Sequence, residues 1–287
     1  MYVILGANGN TGSVVATTLL ERGKQVRAVA RDVKKLEGLR AKGAEVVSAD
    51  VQDAASMARV FAGAEGAYLL VPPDNTSTDL VARGRKIIDG YVEALAKASV
   101  KHAVVLSSVA AQQPAGTGPI VITHYAEHTL PKATATTFTF LRAAYFMENV
   151  LNFAYPIKHD GVLPVFGGGE AYPFPMVATR DIGHVAAEAL LAPPSAHAWI
   201  ELSGPKEYSY VEAAAEASAI VGREVKATVL PIDAMVPTLT SIGLSPNVAG
   251  LYREMTEAAG KGLVMFEGKG SQRGKVTLGD VLRAGLR

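Results

Sequence analysis

Tyr2-Val3-Ile4-Leu5-Gly6-Ala7-Asn8-Gly9-Asn10-Thr11-Gly12-Ser13-Val14-Val15 decides the fold. A short apolar run, Tyr2–Leu5, reads as a strand buried on both faces. A turn with glycine at 6, 9 and 12 follows directly. Thr11–Arg22 then places Val14, Val15, Thr18 and Leu19 at helical spacing. In a strand–turn–helix context those glycines permit a tight turn, close approach of a ligand to bare backbone, and close helix–strand packing. The helix start adds unpaired N–H groups and a positive dipole end, a setting for a pyrophosphate. Gly6, Asn8, Gly9, Asn10, Thr11 and Gly12 are therefore the expected dinucleotide cradle. No Gly-Lys-Ser/Thr follows, which excludes a kinase-type phosphate loop.

The alternation continues outward. Gln25–Ala30, Ala44–Ala49, Gly66–Val71, His102–Ser107 and Thr137–Leu141 read as strands. Val33–Lys42, Ala54–Ala62, Asp79–Ser99 and about Thr123–Leu130 read as helices, the last stopped by Pro131. Strand and helix in alternation with short links imply a parallel sheet with right-handed crossovers. The expected fold is α/β: a Rossmann-type doubly wound parallel sheet with a smaller C-terminal α+β substrate domain. Residues 1–148 form the expected dinucleotide domain and 149–287 the substrate-binding domain, with a return to the sheet at about 177–203. In that second part Gly167-Gly168-Gly169, Tyr172-Pro173-Phe174-Pro175 and 260–275 read as loops. Asp181–Leu191, Tyr208–Val221, Ile232–Ile242 and Val248–Ala259 read as helices, and Trp199–Ser203 as a strand.

Composition bounds the function. Apolar residues are 49% and charged residues 19% of 287, which excludes a disordered chain. With 28 Lys+Arg against 27 Asp+Glu, no bulk charge points to nucleic acid or an anionic membrane. The chain has no cysteine, so disulfides, thiolate zinc sites and a thiol nucleophile are absent. Glycine follows Met1–Leu5 at once, so no signal peptide is expected. The uncharged stretch His102–Ala126 is broken by Pro114, Gly116, Gly118 and Pro119 and does not read as a membrane span. A soluble, cytoplasmic protein is expected.

The second strand ends Arg27-Ala28-Val29-Ala30-Arg31-Asp32. An acidic residue at the strand end would accept from a ribose 2′-OH, whereas Arg31 would pair with a 2′-phosphate. Arg31 favours NADP(H). Asp32 either binds a 2′-OH or caps the next helix. Asp50-Val51 and Val71-Pro72, at carboxyl ends of the third and fourth strands, are expected to line the cofactor. Asp50 reads equally as a cap.

Catalysis by Ser with Tyr-x-x-x-Lys is incomplete. Ser107 and Ser108 end the fifth strand and Tyr125 lies on the next helix, but four residues on stands Thr129. Lys132 lies beyond Pro131. Ser107, Tyr125 and Asn149 remain the catalytic candidates, and Tyr125 reads equally as a packed helix residue. His124-Tyr125-Ala126-Glu127-His128 also matches a His-x-x-Glu-His zinc pattern. No third ligand is signposted, so no metal is expected.

Several segments together resemble the NmrA-like family of atypical short-chain dehydrogenases/reductases. They are Gly6-x-x-Gly9-x-x-Gly12 with Asn8 between, Arg31-Asp32, Ser107-Ser108, His124-Tyr125, Leu141-Arg142-Ala143-Ala144-Tyr145-Phe146-Met147-Glu148-Asn149, and Thr179-Arg180-Asp181-Ile182-Gly183. The resemblance implies an NADPH-dependent, flavin-free oxidoreductase acting on a small quinone-like or azo-aromatic acceptor. Its alternative is a catalytically silent NADP(H) redox sensor acting through a protein partner. A reductase of this kind needs mainly proximity and orientation from the protein. An aromatic pocket is then expected from Tyr145, Phe146, Met147, Asn149, Phe153, Phe166, Tyr172 and Phe174, although each singly reads more readily as core, Asn149 least so.

Overall fold

The apolar runs of the first half pair side by side in a computed structural model that describes residues 1–287. The first half alternates as β1 (Tyr2–Leu5), α1 (Gly12–Glu21), β2 (Val26–Ala30), α2 (Glu37–Ala41), β3 (Glu45–Ser48), α3 (Ala54–Phe61), β4 (Gly66–Leu69), α4 (Leu80–Ala98), β5 (His102–Ser108), α5 (Ile120–Thr129) and β6 (Thr137–Ala143). The second half holds β7 (Tyr145–Phe146), α6 (Ala154–His159), β8 (Val162–Phe166), β9 (Phe174–Val177), α7 (Thr179–Leu191), β10 (Ala198–Ser203), β11 (Glu207–Tyr208), α8 (Tyr210–Val221), β12 (Lys226–Leu230), α9 (Met235–Ser241), α10 (Pro246–Gly260), β13 (Ser271–Arg273) and α11 (Leu278–Leu286).

Eight strands form one parallel sheet in the order β13-β10-β6-β5-β4-β1-β2-β3. Its strands alternate faces with period two. Val3, Leu5, Ala67, Leu69, Ala103 and Val105 pack against Phe61 of α3, Ile87 and Tyr91 of α4, and Ile122 of α5. Ile4, Ala28, Tyr68 and Val104 face Val15 and Leu19 of α1 and Ile182 and Leu190 of α7. Both faces are covered, and the central strands β1 and β4 are buried along their whole length. α4 is closed at its start by Asp79, whose carboxylate accepts from Ala82 N–H.

The return through α7 and β10 pairs Ala198–Leu202 with Thr139–Ala143. A second return is not legible in the sequence. Ser271–Arg273, within the expected loop, adds the outermost strand. It is short, polar and exposed, which is how sheet edges are commonly blunted.

A separate core joins Met147, Leu163, Met176, Ala213, Leu278 and Leu282. Here several expectations need correction. Phe174-Pro175 is strand, not loop: β9 sits between β11 and β7. Each pairing spans only two residues, so the missing Pro175 N–H costs little. β8 and β12 also pair, and Pro164 masks the first of them in sequence. α5 begins at Ile120, earlier than expected, because Pro119 presets the helical φ at its cap. Residues 33–36 form a 3₁₀ turn before α2. No helix is long and apolar enough to cross a membrane.

Candidate active site

The loop between β1 and α1 is built as its glycines require. Gly6 has φ 61°, a left-handed conformation that favours glycine. A Cβ on Gly12 would collide with the Gly6 carbonyl, and one on Gly9 would stand 3.2 Å from it. Gly9 N–H donates to Gly6 O at 2.8 Å and closes the turn. Ser13 N–H donates back to Gly9 O, while the amides of Asn10, Thr11 and Gly12 have no backbone acceptor. No acidic side chain occupies the first turn of α1. Asn8, Gly9 and Asn10 are exposed. Free amides, a positive helix end and room that a Cβ would fill together fit a pyrophosphate.

Thr11 contributes backbone only. Its hydroxyl is buried and accepts a 3.0 Å bond from Tyr68 O–H. Burial pushes the Tyr68 phenol well up, so it stays a donor.

At the end of β2, Asp32 accepts from Lys34 N–H at 3.0 Å and caps the 3₁₀ turn. Arg31 beside it is exposed and anchored by its carbonyl, which accepts from Ser48 Oγ at 3.0 Å. Lys34 and Lys35, also exposed, add two cations that the sequence reading did not single out. Asp50 is exposed and accepts from Gln52 N–H, the local turn that its residue type allows. Val51, Val71 and Pro72 are half-buried. Arg83 donates to Pro72 O at 3.0 Å and pairs with Asp74 at 3.2 Å, which fixes the loop after β4. The Thr76 hydroxyl and amide, and to a smaller extent Arg83, hold the Asp74 carboxyl below the usual range.

The three catalytic candidates are not brought together. Ser107 is 4% exposed. Its hydroxyl donates to Glu127 at 2.6 Å. Glu127 also accepts from Arg142 at 3.0 and 2.7 Å and from Trp199 Nε1 at 3.0 Å. Arg142 continues to Glu267 at 2.5 Å and Glu201 at 3.5 Å. Glu201 is 1% exposed and takes the amides of Glu267, Gly268 and Lys269. Ser107 thus belongs to a closed ion network and has no free proton to offer. Tyr125 needs correction for a related reason. Two residues before Glu127, it leaves the opposite side of α5 and donates to Asp89 of α4 at 2.8 Å, beneath Arg85. That bond to Asp89 raises its pKa.

Glu127's engagement also takes apart the His-x-x-Glu-His pattern. The His124 and His128 rings lie 4.1 Å apart, with Nδ1 on the carbonyls of Ala111 and His124. Their glutamate points into the core. Beside Ser108 and Val109, buried Ala110 has φ 64°. Such backbone strain concentrates at functional sites.

Beyond β6, Tyr145 and Asn149 are half-buried, and burial holds the Tyr145 phenol well above its ordinary pKa. Tyr145, Phe174 and Tyr210 pack with ring centroids 5.6, 5.2 and 6.5 Å apart. Tyr252 of α10 packs, half-buried, on the small core of Phe166, Met235 and Leu239. α10 is fixed over the β4 loop by Asn247, which accepts from Leu80 N–H, and by Ser245 N–H, which donates to Asn75 O. Of the expected aromatic lining, Phe153 stays half-buried between two cores. Met147 and Phe166 are core, Phe146 packs under the sheet and Tyr172 is 78% exposed. Tyr210 was missed: it lies far along the chain, and no local signal joins it to Tyr145.

A model of the NmrA-like family matches residues 2–263. The NAD(P)H azoreductase of Xenophilus azovorans is 25% identical over 259 residues, 89% of this chain and 86% of that protein. Quinone oxidoreductase 2 of Escherichia coli K12 is 25% identical over 276 residues, 94% and 91% of the two chains. The solved NADPH complex of an Escherichia coli NADPH-dependent quinone oxidoreductase superposes with TM-score 0.82 at 23% identity, over 99% of both chains. The Citrobacter sp. triphenylmethane reductase complexed with NADP(H) gives TM-score 0.82 at 20% identity, over 99% and 100%. Both structures share the fold described above. On the match over most of its length, the chain belongs to the NmrA-like family.

Proposed function

We propose that this chain is an NADPH-dependent, flavin-free oxidoreductase of a small quinone-like or azo-aromatic acceptor. The observation that carries the cofactor is the pairing of two features. The loop at 6–12 presents free amides to an anion, and Arg31 stands exposed at the end of β2 while Asp32 is engaged as a cap. The relatives described above, an azoreductase and a quinone oxidoreductase, support the class of reaction. They lend nothing to the sensor alternative.

Bound NADPH would supply a hydride from its nicotinamide ring. Asn10, Thr11 and Gly12 hold the pyrophosphate by backbone amides. Arg31, with Lys34 and Lys35 near it, binds the 2′-phosphate. Val51, Val71 and Pro72 bound the nucleotide, and Asp50 shapes the turn beside it. In this reading residues 1–148, with the return at 177–203, hold the cofactor, and 149–287 hold the acceptor against it. Tyr145, Asn149, Phe174 and Tyr210 orient a flat conjugated ring. No Tyr-x-x-x-Lys acid is required, because an electron-poor acceptor takes hydride directly and a proton from water.

The test is steady-state oxidation of NADPH by the purified chain with a set of quinones and azo dyes, repeated with NADH. Turnover without added flavin, faster with NADPH, is the expected result. Tight NADPH binding with no turnover on any acceptor would replace this reading with the sensor.

A further inference from the structure

α10 comes from the far end of the chain, yet it touches the segments that follow β4 and β5, at the carboxyl end of the sheet where ligands bind in open α/β folds. Its contacts with the segment after β4 are polar. Ser245 N–H donates to Asn75 O at 2.8 Å. The Ser245 hydroxyl donates to Ser77 O and accepts from Val248 N–H at 3.1 Å, so one side chain caps α10 and holds the neighbouring segment. Asn247 Oδ1 accepts from Leu80 N–H at 3.0 Å, taking up an amide that the first turn of α4 leaves unpaired. Against the segment after β5 the fit is steric: a Cβ on Gly118 would stand 2.0 Å from Leu251 O.

The segment after β4 carries Val71 and Pro72, assigned above to the nucleotide. Its near half is tied to α4: Tyr91 O–H donates to Leu70 O at 2.9 Å and Arg83 donates to Pro72 O at 3.0 Å. Its far half is tied to α10 by Ser245 and Asn247. α10 in turn joins two cores. Val248 lies in the core of the large sheet, and Ala249 in a small one with Phe166 of β8 and Met235 and Leu239 of α9. The first holds 26 buried residues and the second four, and a region with few buried apolar contacts opens locally at lower cost than the sheet. Without the polar ties, α9 and α10 would open and leave the nucleotide segment in place. With them, lifting α10 removes the partners of Asn75, Ser77 and Leu80 at once.

We propose that Ser245 and Asn247 are positioning residues that join α9 and α10 to the nucleotide site, so that bound dinucleotide holds these C-terminal helices in place. This rests on the nucleotide reading above and not on the identity of the acceptor. The coupling is reciprocal: whatever the nucleotide adds to the docking of α10, the docking of α10 returns as nucleotide affinity. In the division proposed above, α9 and α10 belong to the part that holds the acceptor, which is then set once the cofactor is bound.

Amide hydrogen exchange of the full chain, with and without NADPH, tests this. A ligand at about 100 times its Kd slows by about 100-fold the exchange that passes through openings which destroy its site, and leaves other local openings untouched. In the wild type NADPH should slow the amides of α10 as well as those of the first turn of α1. The variant combines Ser245→Asp with Asn247→Ala. The aspartate still caps α10 but has no hydrogen for Ser77 O, and the alanine offers Leu80 N–H no acceptor. With NADPH at about 100 times the variant's own Kd, slowing in α10 should fall below about tenfold while that in α1 persists. Affinity for NADPH and NADH should fall by the same factor, unlike the selective loss expected for Arg31→Ala. Ser245→Thr, which keeps cap and donor, should behave as wild type. Asn247→Ala alone carries the test, with a smaller loss, if the double variant fails to fold. Slowing confined to the first half of the wild type, or undiminished in α10 of the variant, would overturn the proposal. Wild-type protein in which NADPH slows no amide would remove the nucleotide reading itself.

Discussion

Arg31 stands at the end of β2 with its guanidinium exposed, while the neighbouring carboxylate of Asp32 accepts from Lys34 N–H. On the proposed function, this one residue decides between two nucleotides. Arg31→Ala should weaken NADPH by about tenfold to a hundredfold, the worth of roughly 1.5–3 kcal/mol for a charged hydrogen bond, and leave NADH within about twofold. Fluorescence titration with both nucleotides checks this, and equal losses would remove the basis for an NADP site. The sequence alone shows Arg31 beside Asp32 but cannot say which is engaged, because a cap is made by backbone geometry. Ser107 and Tyr125 teach the same lesson. Each occupies a position where catalysis is expected, yet the side of the helix each meets is set by partners as remote as Arg142 and Asp89.

β5, β6 and β10 place Ser107, Arg142 and Glu201 in one row, since Ser107 pairs with Arg142 and Arg142 with Glu201. α5 lays Glu127 over that row, and the segment after Leu263 closes it with Glu267. None of this is legible locally; Arg142 and Glu267 are 125 residues apart. A buried pair contributes little net stability when whole but is costly to break. Arg142→Ala would strand Glu127 and Glu201, and should lower stability by about 3–5 kcal/mol in urea unfolding. The same clamp has an acid limit. Arg142, and behind it Lys269, hold the Glu267 carboxyl below its ordinary range. A carboxyl lowered in the folded state stabilises above its unfolded pKa, and that contribution is lost as pH falls through the lowered value. Amide exchange of residues 263–270 should accelerate as pH falls below about 4, after correction for intrinsic rates. Glu267→Gln should flatten that dependence, and an unchanged profile would contradict the clamp.

The whole molecule divides into what periodicity announces and what only packing creates. The strands from β1 to β6 were legible because burial on both faces demands apolar runs, as in Val3-Ile4-Leu5 and Ala67-Tyr68-Leu69. β8, β9, β12 and β13 were not, being short, proline-bearing or polar. The tight glycine loop after β1 was legible because glycine has few substitutes where a Cβ would strike the Gly6 carbonyl. The aromatic cluster was only half legible: Tyr145 stands in the segment after β6, but Tyr210 reaches it from the start of α8. The proposed function requires direct transfer of hydride from the nicotinamide to the acceptor. The decisive measurement is reduction of a cationic triarylmethane dye by NADPH deuterated at the transferred C4 position. The colourless product should carry one deuterium at its central carbon, without added flavin. Product lacking deuterium would show that hydrogen passes through an exchangeable carrier and would contradict direct transfer, as would NADPH binding with no product at all.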